Sequence, residues 1–214
     1  MSHSEMSAET DLVRQYVDHY AEHAAAAPRA QLERMAGIIW DACLAGGIVY
    51  VFGNGACAAL AAHMATDLSK GTTVAVTAAA EGFVQPRIGI VSLSDNTALL
   101  TAYGNDIGYE HIFVEQLRSV LREGDVVIGL SGSGGSPNVL RAMDYAKAVG
   151  AHRLGLTGRQ DSAIKLMSLC DVAVQAPSSV IEHIEDWHVI YNHVLTLLLR
   201  ERMREHVASA VVDG

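Results

Sequence analysis

Val126-Val127-Ile128-Gly129-Leu130-Ser131-Gly132-Ser133-Gly134-Gly135-Ser136-Pro137-Asn138 is a short apolar run that stops in a loop of hydroxyls and glycines. A helical stretch over 138–149 follows it. The start of a helix leaves backbone N–H groups unpartnered and partly positive. Glycines let the loop backbone approach an anion, and Ser131, Ser133 and Ser136 add hydroxyl donors. Pro137 suits the first helical position because it has no N–H to lose there. The order strand, serine loop, helix therefore predicts a phosphate site. The pattern is neither a Walker loop, since no Lys follows the glycines, nor a dinucleotide fingerprint, since the spacing differs. A plain flexible turn from strand to helix is the competing reading of the same residues.

Working outward, apolar runs and helical patterns alternate. Strands are predicted at 48–52, 88–93, 125–130, 152–157 and 171–175. Helices are predicted at 11–23, 29–45, 56–69, near 97–103, 109–122, 138–149, 162–168 and 180–206. The segment 70–87 is hard to read and accommodates one short strand at 73–77. Strands that are apolar throughout and alternate with helices imply a parallel sheet covered on both faces, an α/β fold. No internal repeat or linker divides the chain, so one domain is expected over 1–214, with disorder over 1–8.

Composition narrows the function classes. Half of the 214 residues are hydrophobic and 18% are charged, as in a compact globular protein. A net charge of −9 argues against nucleic acid or an anionic membrane as partner. Three cysteines, Cys43, Cys57 and Cys170, are widely spaced in apolar settings, as in a reduced cytoplasmic protein. The first residues carry no basic stretch followed by an apolar one, so secretion is not expected, and no apolar run reaches membrane-spanning length.

In an open parallel sheet, ligands sit at the carboxyl ends of the strands. Three such ends are polar: Gly53-Asn54-Gly55-Ala56-Cys57, Ser94-Asp95-Asn96-Thr97 and the serine loop. Asp95 or Asn96 serves equally well as a helix cap. Farther along, His63 and Asp67 stand four apart on an otherwise apolar helix. The last helix carries Glu185, His188 and His193; Glu185 and His193 are roughly 80° apart around its axis. His and carboxylate pairs on two facing helices can cage a borderline divalent metal such as zinc. The same spacings also fit surface ion pairs or satisfied core residues, and spacing alone leaves the choice open. For His188 a helix-surface position is the expectation.

The succession Gly53-Asn54-Gly55, His63, Asp95-Asn96-Thr97-Ala98-Leu99-Leu100-Thr101-Ala102, Gly104-Asn105-Asp106-Ile107-Gly108-Tyr109-Glu110 and Ser131 to Asn138 resembles the sugar isomerase (SIS) domain. More narrowly it resembles bacterial phosphoheptose isomerases, which convert sedoheptulose 7-phosphate to a heptose 7-phosphate. The resemblance covers about 31–200. It implies a five-stranded parallel sheet with helices on both faces. It further implies a cytoplasmic homotetramer with active sites between subunits, its N-terminal helices and long C-terminal helix in oligomer contacts. It assigns Ser131, Ser133 and Ser136 to the phosphate and Asn54 and Asp95 to the sugar hydroxyls, and it counts Gly55, Cys57, Asn96 and Gly132 among the substrate- or phosphate-binding positions. It places one zinc per subunit on His63, Asp67, Glu185 and His193, and gives Asp67, Glu185 and His193 catalytic roles.

Where the family's zinc set reads His, Glu, Gln, His, this chain has His63, Asp67, Glu185, His193. Gly132 stands where the family usually has Thr, Cys57 where it has a phosphate-binding Ser, and Leu60 where it usually has Asp. Two functions follow as expectations. One is an aldose–ketose isomerase acting on a seven- or eight-carbon sugar phosphate through a cis-enediolate, its base Asp67 or Glu185. The other is a non-catalytic SIS module that binds a sugar phosphate or a protein partner such as the replication initiator.

Overall fold

The computed structural model describes residues 3–74 and 85–212. Five parallel strands, β1 (Ile48–Gly53), β2 (Gly89–Ser92), β3 (Val126–Leu130), β4 (His152–Thr157) and β5 (Val172–Gln175), form one sheet in the order β2-β1-β3-β4-β5. The helices are α1 (His3–His23), α2 (Arg29–Leu44), α3 (Ala56–Lys70), α4 (Thr97–Asp106), α5 (Val114–Val120), α6 (Pro137–Val149), α7 (Ala163–Met167) and α8 (Ile181–Val212). The expected single α/β architecture stands. Of the segment expected to be disordered, 1–8, residues 1 and 2 lie outside the described residues, and α1 begins at His3. The strand expected at 73–77 falls mostly outside the described residues, and Thr73 and Val74 are in no regular element.

Strand alternation sends side chains to two cores. Val49 and Val51 of β1 with Val126, Ile128 and Leu130 of β3 face α2, α3 and α8, meeting Ile39, Met64, Leu195 and Leu199. Tyr50 and Phe52 with Val127 face the other way, toward Phe113, Leu117, Val139 and Met143 around α5 and α6. Burial on both faces is why these strands read as unbroken apolar runs. The last helix, expected to spend its apolar residues between subunits, buries Ile184, Leu195, Leu199 and Met203 within its own chain. Its Ile190 and Leu197 remain exposed.

α1 lies on α8 through polar aromatics. The Tyr16 and Tyr20 hydroxyls both donate to Asp186 Oδ2 at 2.6 Å. Trp187 Nε1 donates to His19 Nε2 at 3.1 Å, and His19 stacks on His183 with centroids 3.9 Å apart. Among the described residues no helix is long and apolar enough to cross a membrane.

Candidate active site

In this order the chain adds β2 on one side of β1 and β3 to β5 on the other, and that switch in strand order opens a crevice at the carboxyl ends of β1 and β3. Both of the glycine-rich turns read from the sequence sit there. Across the gap the side chains of Asn54 and Asn138 form a reciprocal amide pair: Asn54 Nδ2 donates to Asn138 Oδ1 at 2.9 Å, and Asn138 Nδ2 to Asn54 Oδ1 at 2.8 Å. The Tyr109 hydroxyl adds a third bond, donating to Asn54 Oδ1 at 3.0 Å. Asn54 thus joins the two turns across the crevice. Neither Asn138 nor Tyr109 stood out from the sequence as a partner for Asn54, because 84 and 55 residues separate them.

The three serines of the quoted stretch do converge. Ser131 Oγ lies 3.0 Å from Ser136 Oγ and 3.5 Å from Ser133 Oγ. Ser131 Oγ accepts from the Gly134 N–H at 3.0 Å, and Ser133 Oγ from the Gly135 N–H at 3.2 Å. A hydroxyl that accepts from the backbone keeps its proton to give away, so the loop presets Ser131 and Ser133 as donors. Ser136 occupies the N-cap of α6, with Pro137 next, yet its side chain makes no capping bond. Its hydroxyl is left for the cradle. Gly134 holds a positive φ of +67°, and a Cβ there would meet Ala163 Cα at 2.5 Å. Only glycine makes this turn. Gly132, where the resemblance expects Thr, faces Ile181: a Cβ would lie 2.9 Å from Ile181 Cδ1. The start of α8 fills the volume a larger residue would take.

At the second polar strand end, Asn96 is the helix cap, its Oδ1 accepting from Leu99 N at 3.1 Å, while Asp95 is exposed. Gly55, at φ +58°, is the N-cap of α3 and offers backbone only. Cys57 follows. Burial raises its thiol pKa, and the Glu185 carboxylate adds to the rise, so the thiol stays protonated and weakly donating.

α3 and α8 run side by side away from this crevice. Their facing residues form the second part of the site. His63, Asp67 and His193 each bring a ligand atom, all within 4.8 Å of one another. His63 Nε2 lies 3.1 Å from Asp67 Oδ2, and His193 Nε2 lies 3.7 Å from the same oxygen. Two imidazole nitrogens and a carboxylate at that separation match the donor set and size a divalent metal such as zinc takes. Glu185 is not in this group. Eight residues before His193, it sits about 12 Å earlier along the helix. There it lines, with His63, Cys57, Leu60 and Val189, a cavity of about 290 Å³ between α3 and α8. So three of the four expected ligands come together, and the fourth borders the cavity beside them.

His188 corrects its expectation. It is 1% exposed, packed against the end of β4, and neither ring nitrogen has a side-chain partner. Burial lowers its pKa to about 4, so the ring is neutral. Sequence reasoning also passed over Asn192, which is fully buried and donates from Nδ2 to Asp67 Oδ2 at 2.7 Å. Its signal in the sequence was an amide set among Ile184, Leu195 and Leu199 on one helix.

A crevice at the sheet's switch point with a hydroxyl cradle on one side and an imidazole–carboxylate group on the other defines a sugar-phosphate-handling α/β protein. The family model for the SIS domain matches residues 14–158, and the chain belongs to that family, on its phosphoheptose isomerase branch. The chain is 38% identical to the phosphoheptose isomerase of Burkholderia pseudomallei over 159 residues, covering 72% of this chain and 75% of that one. With the phosphoheptose isomerase of Rhodospirillum rubrum it shares 36% identity over 168 residues, 78% of this chain and 84% of that one. Among solved structures, the phosphoheptose isomerase from Neisseria gonorrhoeae superposes with a TM-score of 0.70 at 28% identity, covering 88% of this chain and 98% of that chain. The fold also matches that of a phosphoheptose isomerase from Francisella tularensis, with a TM-score of 0.78 at 24% identity over 94% of this chain and 100% of that one.

Proposed function

We propose that this chain is an aldose–ketose isomerase acting on a phosphorylated seven- or eight-carbon ketose, of which sedoheptulose 7-phosphate is the first to test. The observation that carries the proposal is the presence of two groups: the Ser131–Ser133–Ser136 hydroxyls, and the His63–Asp67–His193 set with Glu185 on the wall of the cavity that His63 also lines. A module that only binds needs the first group and has no use for the second.

The serine hydroxyls and the N-terminus of α6 hold the phosphate and so fix the far end of the sugar. His63, Asp67 and His193 would hold a divalent metal, zinc by donor set, which when bound would supply positive charge beside the substrate's oxygens. Asp67 takes the proton from C1 of the ketose. The C–H electron pair becomes the C1–C2 double bond, and the carbonyl pair moves onto O2, giving a cis-enediolate. The same carboxyl then returns its proton to C2, while the O1 proton passes to O2, so that O1 becomes the aldehyde oxygen and O2 the C2 hydroxyl. General acid–base help of this kind contributes about 10²–10⁴-fold. Glu185, on the wall of the cavity, faces the reacting end. His193, whose Nε2 lies 3.7 Å from Asp67 Oδ2, would be a ligand of that cation and could also return or relay protons. The apolar wall at Leu60 and Cys57, where the resemblance expects Asp and Ser, makes the pocket less hydrophilic than that of the family.

We also place the working unit as a homotetramer with sites shared between subunits. Leu12, Val13 and Val17 of α1, at 67%, 66% and 60% exposure, and Leu197 of α8 at 59%, supply the apolar surface for it. Light scattering that returns a monomer at micromolar concentration removes that part.

The test of the activity is exchange of the C1 proton of sedoheptulose 7-phosphate with solvent deuterium, followed by NMR on zinc-loaded protein. Asp67→Asn should lower exchange at least about 10²-fold. Glu185→Gln, which places the family's residue at that position, should keep it. If Glu185→Gln instead abolishes exchange and Asp67→Asn does not, the base is Glu185. No exchange by the wild type with any heptulose or octulose phosphate refutes the isomerase.

A further inference from the structure

Asn192 lies on the buried face of α8, wholly inaccessible to solvent. Burying a primary amide costs free energy unless both of its ends find partners. Here only one does: Nδ2 donates to Asp67 Oδ2 at 2.7 Å, and Oδ1 has no hydrogen-bond partner. On the same face of the helix the buried neighbours are Leu195 and Leu199 with His188 and Thr196 one turn to either side, and none of them is a hydrogen-bond partner for Oδ1. What the amide adds is its bond to Asp67.

That oxygen is the one the two histidines also face, His63 Nε2 at 3.1 Å and His193 Nε2 at 3.7 Å. Asp67 is on α3, and Asn192 and His193 are on α8, so the bond joins the two helices that carry the ligand set. A carboxylate that reaches only one methylene from the backbone has few rotamers with which to meet partners on another helix. Holding Oδ2 from the α8 side selects the rotamer that places it between the imidazoles. It leaves Oδ1 outside these three contacts.

We propose that Asn192 is a positioning residue for Asp67: it fixes the carboxylate in the orientation that serves both the metal set and proton transfer. The inference rests on the proposed roles of Asp67, and the experiment separates the two. Asn192→Leu removes the amide while keeping its branched shape, and the loss of an unpartnered oxygen should leave the melting temperature unchanged or higher. In the same variant, cobalt(II) affinity, read by competition with a chelating dye and by the visible spectrum of the bound ion, should fall about 10–100-fold, as for residues that orient metal ligands. The kcat on sedoheptulose 7-phosphate should fall by a similar factor, with KM within about twofold, because the phosphate cradle is untouched.

A double-mutant cycle completes the test. In the Asp67→Asn background, adding Asn192→Leu should change cobalt affinity by less than twofold, since the partner it acts through is already lost. A purely structural role predicts the opposite pattern: a lowered melting temperature and equal losses in both backgrounds. Asn192→Leu with wild-type cobalt affinity and kcat overturns the proposal. If the wild type turns over no heptulose phosphate but binds cobalt, the isomerase reading fails, and the affinity cycle alone decides for or against Asn192. A wild type that neither turns over nor binds cobalt overturns both.

Discussion

Replacing Ser131 and Ser133 with alanine tests whether the quoted loop is a phosphate cradle. Ser131 is 4% exposed, and its hydroxyl lies within 3.5 Å of both Ser133 and Ser136. Its proton is available because Gly134 N–H fills one lone pair. A hydrogen bond to a charged oxygen is worth about 1.5–3 kcal/mol, which corresponds to roughly 10–100-fold in affinity. Ser131→Ala should therefore raise the Kd for sedoheptulose 7-phosphate by about that factor. The double variant should lose less than the product of the two singles, since the hydroxyls share one anion and neighbour one another. Folding should survive, because Gly134 N–H also reaches the Ser131 carbonyl at 3.0 Å and keeps an acceptor. Titration calorimetry on both singles and the double measures this, with Ser168→Ala on the far side of α7 as the unaffected control. A double variant that binds within twofold of the wild type refutes the assignment. The convergence of hydroxyls would then be a loop-stabilising device only.

Three further outcomes are expected. Zinc at 100 times its Kd should stabilise the protein by about 2.7 kcal/mol, or roughly 5–10 °C in melting temperature for a chain of this size; His63→Ala and His193→Ala should abolish the shift, and a wild type insensitive to millimolar zinc contradicts the ligand set. Gly132→Thr should cost about 1–3 kcal/mol through overpacking against Ile181, seen as a lowered melting temperature that Ile181→Ala restores; an unchanged melting temperature shows that α8 yields without cost. His188 is neutral in the folded protein down to about pH 4 but takes a proton near pH 6.5 when unfolded. Its contribution is therefore complete above pH 6.5 and is lost as the pH falls from there to about 4, by up to about 3 kcal/mol. His188→Phe should flatten the stability profile in that window, and an identical acid slope in both proteins refutes the buried, unprotonated state.

What was legible in the sequence is what is local. Ile48 to Phe52 and Val126 to Leu130 read as strands because a parallel strand covered on both faces is apolar at every position, whatever its neighbours in the sheet are. Ser131 to Pro137 read as an anion cradle because a strand, a glycine turn and a helix start are contiguous. His63 and Asp67 read as a pair because four residues make one helical turn. Asn96 did not separate from Asp95, since either can cap a helix, and only the bond to Leu99 N decides between them.

The tertiary structure decided what depends on which elements meet. The order β2-β1-β3-β4-β5 brings Asn54 against Asn138, and no pattern within either turn announces that contact. α8 is apolar over so much of its circumference that its sequence does not say which face turns inward. Packing against β4 put His188 inside, packing against α3 put Asn192 inside, and His193 was left half exposed beside Asp67. The same packing set Glu185 one cavity away from the ligands it was expected to join. Helical periodicity gives the angle between residues on one helix; the contact between two helices also depends on their axial offset, and that is fixed only when the core packs around the sheet.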